Sequence, residues 1–369
     1  MPYEDVAITD LFAGPGGLSL GFREAGFRIV AAVERDVPSA QTYKLNFPEV
    51  RLLGDAENVH GADLVDISAS AGFDRLFLVG GPPCQPYSPA NTHKNNGDRH
   101  PCASSVSHFV RIVQETKPEG FLFENVVRFQ RMNTWETFVN ALSNVGYTLS
   151  FSHLDARTFG VPQIRRRLFV AGFKNGVKFD FSLLGHREPT HVGEAICGLP
   201  RLPEGGGGKD DAVHPMKNGS LYVERLLEGA TKLYNHRSTV HSSEVVDTIR
   251  LIKQGESLRR SWKRLPEDIK GRYSNLEALH SNIYRRLCRW RASPTIVHAR
   301  RAMLLHPGQH RILSVREAAR LQGFPDRFRF MGSLNDQYQQ VANAVPPLVA
   351  EAVAHLIRRL LDGRGGGVL

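Results

Sequence analysis

The residues best equipped for chemistry are one thiol, two carboxylates and a group of arginines, each lying beside a short apolar run. Cys84 sits in Gly80-Gly81-Pro82-Pro83-Cys84-Gln85-Pro86-Tyr87-Ser88, directly after Leu76-Phe77-Leu78-Val79. The prolines fix φ and remove backbone donors, so the loop presents its side chains with little freedom, which suits a nucleophile. The same stretch also reads as a tight turn around a small buried thiol. A free thiol with a pKa of ~8.5 is only a few per cent ionised near neutrality, yet already strongly nucleophilic. No histidine neighbours Cys84 in sequence, which disfavours a Cys-His hydrolase. An electron-poor ring is a better target, provided that a second group protonates it during attack. Glu124, in Phe121-Leu122-Phe123-Glu124-Asn125-Val126, is the candidate acid, although a capping Glu-Asn turn reads equally from those residues alone.

A second cluster reads as a cofactor site. Asp10-Leu11-Phe12-Ala13-Gly14-Pro15-Gly16-Gly17-Leu18 is a strand, a glycine turn and a helix start. Glycines allow close backbone approach, and a helix N-terminus favours anionic groups. Glu34, at the next strand end, is placed to accept hydrogen bonds from ribose hydroxyls. Asp55 could read an adenine amino group or cap a solvated turn. A dinucleotide fingerprint requires glycine three positions after Gly16, where this chain has Ser19. In Gln163-Ile164-Arg165-Arg166-Arg167, extended alternation puts Gln163, Arg165 and Arg167 on one side, suited to a phosphate and a base carbonyl. A solvated basic run is the alternative.

Short β runs alternating with helical spacing must position these groups. Val6–Phe12, Arg28–Val33, Arg75–Val79 and Gly120–Phe123 predict strands; Leu18–Ala25, Ser39–Leu45, Ser105–Glu115 and Thr134–Val145 predict helices. Tyr147–His153 and Leu168–Phe173 predict two further strands closing the sheet. The pattern is that of βαβ units, whose ligands bind beyond the carboxyl ends of the strands. From about residue 181 the rhythm is lost. Leu202–Asp211 is a flexible loop by composition, and arginines peak at Arg285, Arg286, Arg289, Arg291, Arg300 and Arg301. Val315–Leu321 predicts a short helix. Val341–Leu361 predicts an amphipathic one beginning at Val345-Pro346-Pro347, and Gly363–Gly367 a disordered tail.

The chain has 369 residues, 41% hydrophobic and 23% charged, with a formal charge of +10. That excess suits a polyanionic partner, since lysines and arginines that neutralise phosphates release counterions. Four widely separated cysteines with no C-x-x-C pair disfavour a disulfide scaffold or structural zinc site and suit a reducing compartment. No signal segment or membrane-length apolar run is visible, so a cytoplasmic location is expected.

Together these motifs, in this order, resemble the C5-cytosine DNA methyltransferases. Asp10–Leu18 is similar to the family's cofactor loop, Pro82-Pro83-Cys84-Gln85 to its catalytic loop, and Glu124-Asn125-Val126 and Gln163–Arg167 to its two following motifs. Arg316–Pro325 and Gln340-Val341-Ala342-Asn343-Ala344-Val345-Pro346-Pro347 are similar to the last two. The resemblance implies an α/β fold: a Rossmann-like S-adenosylmethionine-dependent sheet with helices on both faces, plus a smaller irregular target-recognition domain. Its implied boundaries are 1–180 with 335–369 for catalysis and 181–334 for recognition and hinge. It implies methyl transfer from S-adenosyl-L-methionine, without a metal, to carbon 5 of a cytosine flipped out of double-stranded DNA. Cys84 would attack C6, Glu124 engage N3 and the exocyclic amine, Arg167 the cytosine carbonyl, and Arg165 support the site. The cofactor would lie among Asp10, Phe12, Ala13, Gly14, Gly16, Gly17, Leu18, Glu34, Arg35, Asp55, Ala56, Pro82, Asn343 and Ala344. Gln85, Ser88, Arg285, Arg289, Arg291 and Arg300 would contact DNA.

Two departures accompany the match: Arg35 replaces an apolar or aromatic residue, and Tyr87 stands where Phe is frequent. His306-Pro307 is typical of the family and reads as structural. An unadorned core of this length resembles the bacterial modification type. That implies a monomer bound to the nucleoid, working with a cognate restriction endonuclease or as an orphan. A silent DNA-binding relative would have lost Cys84, Glu124 or Arg167; the tRNA-methylating branch would carry a Cys-Phe-Thr element absent here. A nicotinamide oxidoreductase explains only the first forty residues.

Overall fold

The computed structural model describes residues 6–83, 104–208, 220–273 and 284–363. These group into two compact units: Met1–Phe159 with Arg166–Arg187 and Val345–Leu369, and Gly160–Arg165 with Glu188–Ala344.

The first unit is built on a seven-stranded sheet of β1 (Val6–Leu11), β2 (Arg28–Val33), β3 (Arg51–Leu53), β4 (Arg75–Gly80), β5 (Gly120–Asn125), β6 (Thr148–Asp155) and β7 (Arg166–Phe173). Their spatial order is β3-β2-β1-β4-β5-β7-β6. β1 and β5 are buried along their whole length, which explains why they read as continuous apolar runs rather than alternating ones. The helices of this unit are α1 (Gly17–Glu24), α2 (Val37–Asn46), α3 (Gly61–Ser70), α4 (Ser104–Thr116) and α5 (Asn133–Ser143), joined by the C-terminal helix. A core of Phe109, Phe121, Phe123, Phe129 and Phe138 packs edge-to-face and tilted beneath α4 and α5.

Strand order reverses at β1, and the register there is tight: Leu11 lies opposite Gly80. The loops that follow β1 and β4 therefore leave the sheet side by side. β7 departs from the parallel arrangement and runs antiparallel to both β5 and β6. An antiparallel strand brings its beginning to the carboxyl edge, so Arg166 and Arg167 arrive there at the N-terminus of β7.

The second unit holds α6 (Val192–Ala195), α7 (Leu221–Leu227), α8 (Ser243–Arg250), α9 (Leu258–Ser261), α10 (Glu267–Lys270), a two-stranded ribbon of β8 (Arg285–Arg286) and β9 (Leu304–Leu305), α11 (Val315–Leu321) and α12 (Leu334–Asn343). α13 (Pro347–Leu361) returns to the first unit. Val341–Leu361 is thus two helices. Val341, Ala342 and Asn343 end α12, and consecutive prolines force a break before α13, where Pro347 occupies the first turn. The expected strand Val6–Phe12 likewise stops at Leu11, because Phe12 adopts φ 58°.

Composition misreads the glycine run. Gly205 and Gly206 are buried, and Gly207 exchanges backbone hydrogen bonds with Ser238 at 3.1 and 2.8 Å. A Cβ on Gly206 would lie 2.0 Å from the Thr239 carbonyl oxygen, so glycine here permits a close backbone crossing rather than a flexible link. The expected tail beyond Gly363 lies outside the described residues.

The Arg316–Pro325 motif is a buried charge network. Glu317 receives Arg311 through two hydrogen bonds of 2.8 and 2.7 Å and closes a capping box with Ser314. Asp326 receives Arg320 at 2.9 and 2.6 Å, while Arg316 donates to the carbonyls of Tyr234, Pro325 and Phe328. Burial disfavours the Glu317 charge, but Arg311 overrides it and holds the carboxyl well below its usual range. His306 lies 3.8 Å from Glu317 and accepts from the Gly308 amide; burial lowers it to about 4. Removing one member of such a pair strands a charge in the core. Asp326→Asn should therefore lose about 3–5 kcal/mol of stability in urea denaturation. The double variant Arg320→Met/Asp326→Leu should lose less, and equal losses would contradict the pairing.

Candidate active site

The loop after β1 is shaped by three left-handed residues, Phe12, Gly14 and Gly16 at φ 58°, 55° and 104°. The Ala13 amide binds the Val33 carbonyl at 3.0 Å, tying the loop to β2. Gly17 opens α1 against the start of α13; a Cβ there would lie 2.2 Å from the Val345 carbonyl oxygen. Leu18 and Ala13 are buried beneath the loop.

Asp10 belongs to β1, not to the loop, and is fully buried. Its Oδ2 accepts from the Ser19 amide at 3.1 Å and from Ser19 Oγ at 2.6 Å, and Ser19 Oγ in turn meets the Tyr43 hydroxyl at 2.7 Å. Asp10 thus fastens the first turn of α1 to the strand. Ser19 occupies the position where a dinucleotide fingerprint has glycine, and this bond is its reason for being there. Burial pushes Asp10 up to about 7, against the opposing effect of the two Ser19 hydrogen bonds.

Glu34 follows β2 with one oxygen on the Gly14 amide at 2.7 Å and the other on the Asp36 amide at 2.6 Å. Burial raises its pKa, and those two amides oppose the rise. Beside it, Arg35 reaches Asp55 at 3.4 Å, and Asp55 also accepts from the Glu57 amide at 3.1 Å. Ala56, next in the chain, is buried, and its carbonyl accepts from Arg111 at 2.7 Å. Gly14, Glu34, Arg35 and Asp55 are therefore linked along one edge of the sheet, with Phe12 two residues before Gly14. The space above Gly14 is open: a Cβ would meet nothing within 4 Å. A carboxylate aimed at a glycine turn with room above it fits a ribose diol, as S-adenosylmethionine would present.

The catalytic candidates lie on the next strands. Glu124 is buried at the end of β5, with Arg167 Nε 3.3 Å from its Oε1. The two are diagonal neighbours on one sheet face, since Phe169 lies directly opposite Glu124 and Arg167 is two residues earlier. A Cβ built on Gly81 would fall 3.3 Å from Glu124 Oε2. Asn125 donates to the Pro82 carbonyl at 3.3 Å and accepts from the Val126 amide at 2.8 Å. The Glu-Asn-Val segment thus holds the segment Gly81–Pro83 that precedes Cys84 in the chain. Cys84, Gln85 and Ser88 lie outside the described residues.

The other donors of the arginine motif are committed to the protein itself. Gln163 is fully buried, bonded to Gln322, to the Leu321 carbonyl at 3.2 Å and to the Ile296 amide at 2.9 Å. Arg165 donates to the Ala342 and Ala344 carbonyls at 3.2 and 3.0 Å. It acts as a clamp on the end of α12, a role that alternation alone does not reveal. Asn343 is exposed and accepts from Gln339 at 2.8 Å, while the Ala344 carbonyl is also held by Gln322 at 2.6 Å.

Among the recognition arginines, Arg291 and Arg300 are exposed and Arg285 is half-buried. Arg289 packs along Gly193 and reaches Gly308. Arg286 is buried and donates to the carbonyls of Ile249, Ile252, His306 and Gln309; burial lowers it to about 10. It is a structural residue. Among the described residues no group of three or more His, Cys, Asp or Glu is arranged to hold a metal, and no helix is long and apolar enough to cross a membrane.

A methyltransferase-type α/β sheet carrying a glycine loop, a carboxylate on that loop's amide and a buried Glu-Arg pair defines the class. Residues 6–359 match the C-5 cytosine-specific DNA methylase family. The chain is 33% identical to the Type II methyltransferase M.DdeI of Desulfomicrobium norvegicum, over 95% of this chain and 88% of that protein. It is 32% identical to M1.HphI of Haemophilus parahaemolyticus, over 96% and 87%. The crystal structure of a prophage-encoded E. coli protein described as a DNA modification methyltransferase superposes with a TM-score of 0.78 at 26% identity, covering 97% of this chain and all of that one. The chain belongs to the C-5 cytosine-specific DNA methylase family and is a DNA (cytosine-5-)-methyltransferase.

The buried Asp10 gives a test of the loop anchor. Asp10→Asn keeps an oxygen for Ser19 and removes the titration. With its pKa raised from 3.8 to about 7, Asp10 favours folding only while protonated. That contribution is complete below pH 3.8 and lost as pH rises past about 7. The stability of the Asn variant relative to the parent should therefore grow by roughly 2 kcal/mol between pH 5 and 8. A pH-independent difference in thermal denaturation would rule out this titration.

Proposed function

We propose that Cys84 is the nucleophile, that S-adenosylmethionine is the methyl donor, and that the substrate cytosine is flipped from double-stranded DNA. The observation that carries this reading is the Glu124–Arg167 pair, 3.3 Å apart, with Glu124 beside Gly81, three residues before Cys84 along a proline-rich segment. Phe12, Glu34, Arg35 and Asp55 would hold the adenosine end, with Ala13, Gly14, Gly16, Gly17, Leu18, Ala56 and Pro82 lining its approach. Asn343 and Ala344 would meet the methionine end. The bound cofactor supplies an electrophilic methyl group on a sulfonium.

The Cys84 thiolate forms a bond to cytosine C6, and Glu124 delivers a proton to N3 as charge builds on the ring. Carbon 5 is thereby made nucleophilic and accepts the methyl group. Transfer of the C5 proton to water, expulsion of the Cys84 thiolate by cleavage of the S–C6 bond and return of the N3 proton to Glu124 regenerate the enzyme. Arg167 has two tasks in this scheme: it orients Glu124 and donates to the O2 carbonyl of the ring. Arg165 acts through the backbone, by fixing the chain between α12 and α13.

Residues 1–180 with 335–369 form the catalytic domain in this reading, and 181–334 the recognition domain and hinge. Exposed Arg291 and Arg300, with Arg285 and Arg289, would contribute DNA contacts alongside Gln85 and Ser88. The working form is a monomeric cytoplasmic modification enzyme, paired with a cognate endonuclease or acting as an orphan.

Cys84→Ser should reduce methyl transfer into DNA by more than a thousandfold while cofactor binding stays within about twofold, since the hydroxyl is far less ionised than the thiol. Labelled-methyl incorporation at the parent rate would refute the mechanism. Methylation-sensitive sequencing of DNA from expressing cells reads out both activity and recognised sequence.

A further inference from the structure

The second unit displays a tryptophan in water. Trp290 is 74% exposed, although tryptophan is on average strongly buried. Among the described residues no ring or ion pair holds its indole. Yet the turn that carries it is fixed on both sides. Arg291 closes the turn onto the Cys288 carbonyl at 3.3 Å, and the Arg289 amide binds Gln254 at 3.1 Å. The carbonyls of Arg289 and Arg291 accept from Gly193 and Val192 at 2.8 and 3.0 Å, which locks the turn to α6. A few residues on, Ser293 exchanges backbone bonds with Pro162 and Ile164, both at 2.8 Å. The platform is rigid, so the ring is held out rather than left loose.

Charge identifies what it is held out toward. Arg291, next to Trp290 in the chain, is exposed, as is Arg289 before it, whose guanidinium lies near Gly308. An exposed aromatic ring between two exposed arginines in sequence suits a polyanion with flat apolar faces inside it, which is duplex DNA. The platform's link to Gln163–Arg165 continues along the chain into Arg167, the partner of Glu124.

We propose that Trp290 is a DNA-reading residue: its indole enters the recognised duplex at a base step, while Arg291 holds an adjoining phosphate. This rests on the DNA-methylating reading above. Stacking against bases is uncharged, so its loss should weaken DNA binding without altering the number of counterions released.

The test uses the full chain with DNA carrying sites that sequencing shows the parent to methylate. Trp290→Ala should raise KM for DNA roughly ten- to hundredfold, with cofactor affinity, thermal midpoint and salt slope unchanged. Trp290→Phe should recover most of the loss, and Arg291→Gln should instead reduce the salt slope by about 1. A Trp290→Ala variant with the parent's KM and sequence preference, or a Phe variant no better than Ala, overturns the assignment. A parent that transfers no methyl to any DNA overturns the underlying reading instead.

Discussion

The constraint on which the site depends is the pairing of β1 with β4, with Leu11 opposite Gly80. At that point the strand order turns back on itself, so the two loops emerging there cannot be covered by a shared crossover helix. One loop turns through Phe12, Gly14 and Gly16; the other begins at Gly81 and leads to Cys84. Two stretches some seventy residues apart in sequence become neighbours through a backbone ladder alone. Glu124 enters from the following strand, one residue beyond the pairing of Gly80 with Phe123. Arg167 enters from the antiparallel strand after that. Reversing β7 is what allows a residue at the beginning of a strand to join residues at the ends of others.

Much of what gives the motifs their composition is anchoring rather than chemistry. Asp10 holds Ser19, Gln163 holds the end of α11, and Arg165 and Gln322 converge on the Ala344 carbonyl. Apart from Asp10–Ser19, these ties involve residues at or near Arg165–Arg166 or Ala344–Val345, where the chain passes from one compact unit to the other. A polar side chain buried against a carbonyl is costly to leave unpaired, so such positions tolerate few alternatives. They therefore carry a sequence signature as firm as that of a catalytic group. Glu124 and Arg167 differ in that they face each other, and Glu124 also lies beside Gly81 at the start of the Cys84 segment.

Most of the sheet was legible because β1, β2, β4, β5 and β7 are buried along nearly their whole length and α1, α4 and α5 are amphipathic. β3 and α3 were not: β3 has one exposed and two half-buried residues, and α3 buries only Gly61, Leu64 and Ser68. The second unit hid its helices for a related reason, since α6, α9 and α10 have four residues each, too few to establish a period. At the site, residue types and order pointed to Cys84, Glu124, Glu34 and Asp55. Alternation could not reveal that Gln163 and Arg165 bond to backbone groups of their own unit, because that requires knowing where α11 and α12 end. Trp290 left no motif at all; only its exposure on a pinned turn distinguishes it.

The same distinction governs how the net charge of +10 should be understood. Arg165, Arg286, Arg311, Arg316 and Arg320 are all buried, and none of them faces a ligand from solvent. Arg311 and Arg320 are neutralised by Glu317 and Asp326, whereas Arg165 and Arg286 rest on carbonyl dipoles and keep their charge inside. A count of basic residues along 285–301 therefore overstates the surface available to phosphates, because Arg286, near the start of that run, is turned inward. Backbone geometry makes the selection: in β8, adjacent residues point to opposite sides, so Arg285 and Arg286 cannot share a role. Affinity for a polyanion must come from the arginines left at the surface, and discrimination among sequences from the uncharged groups between them.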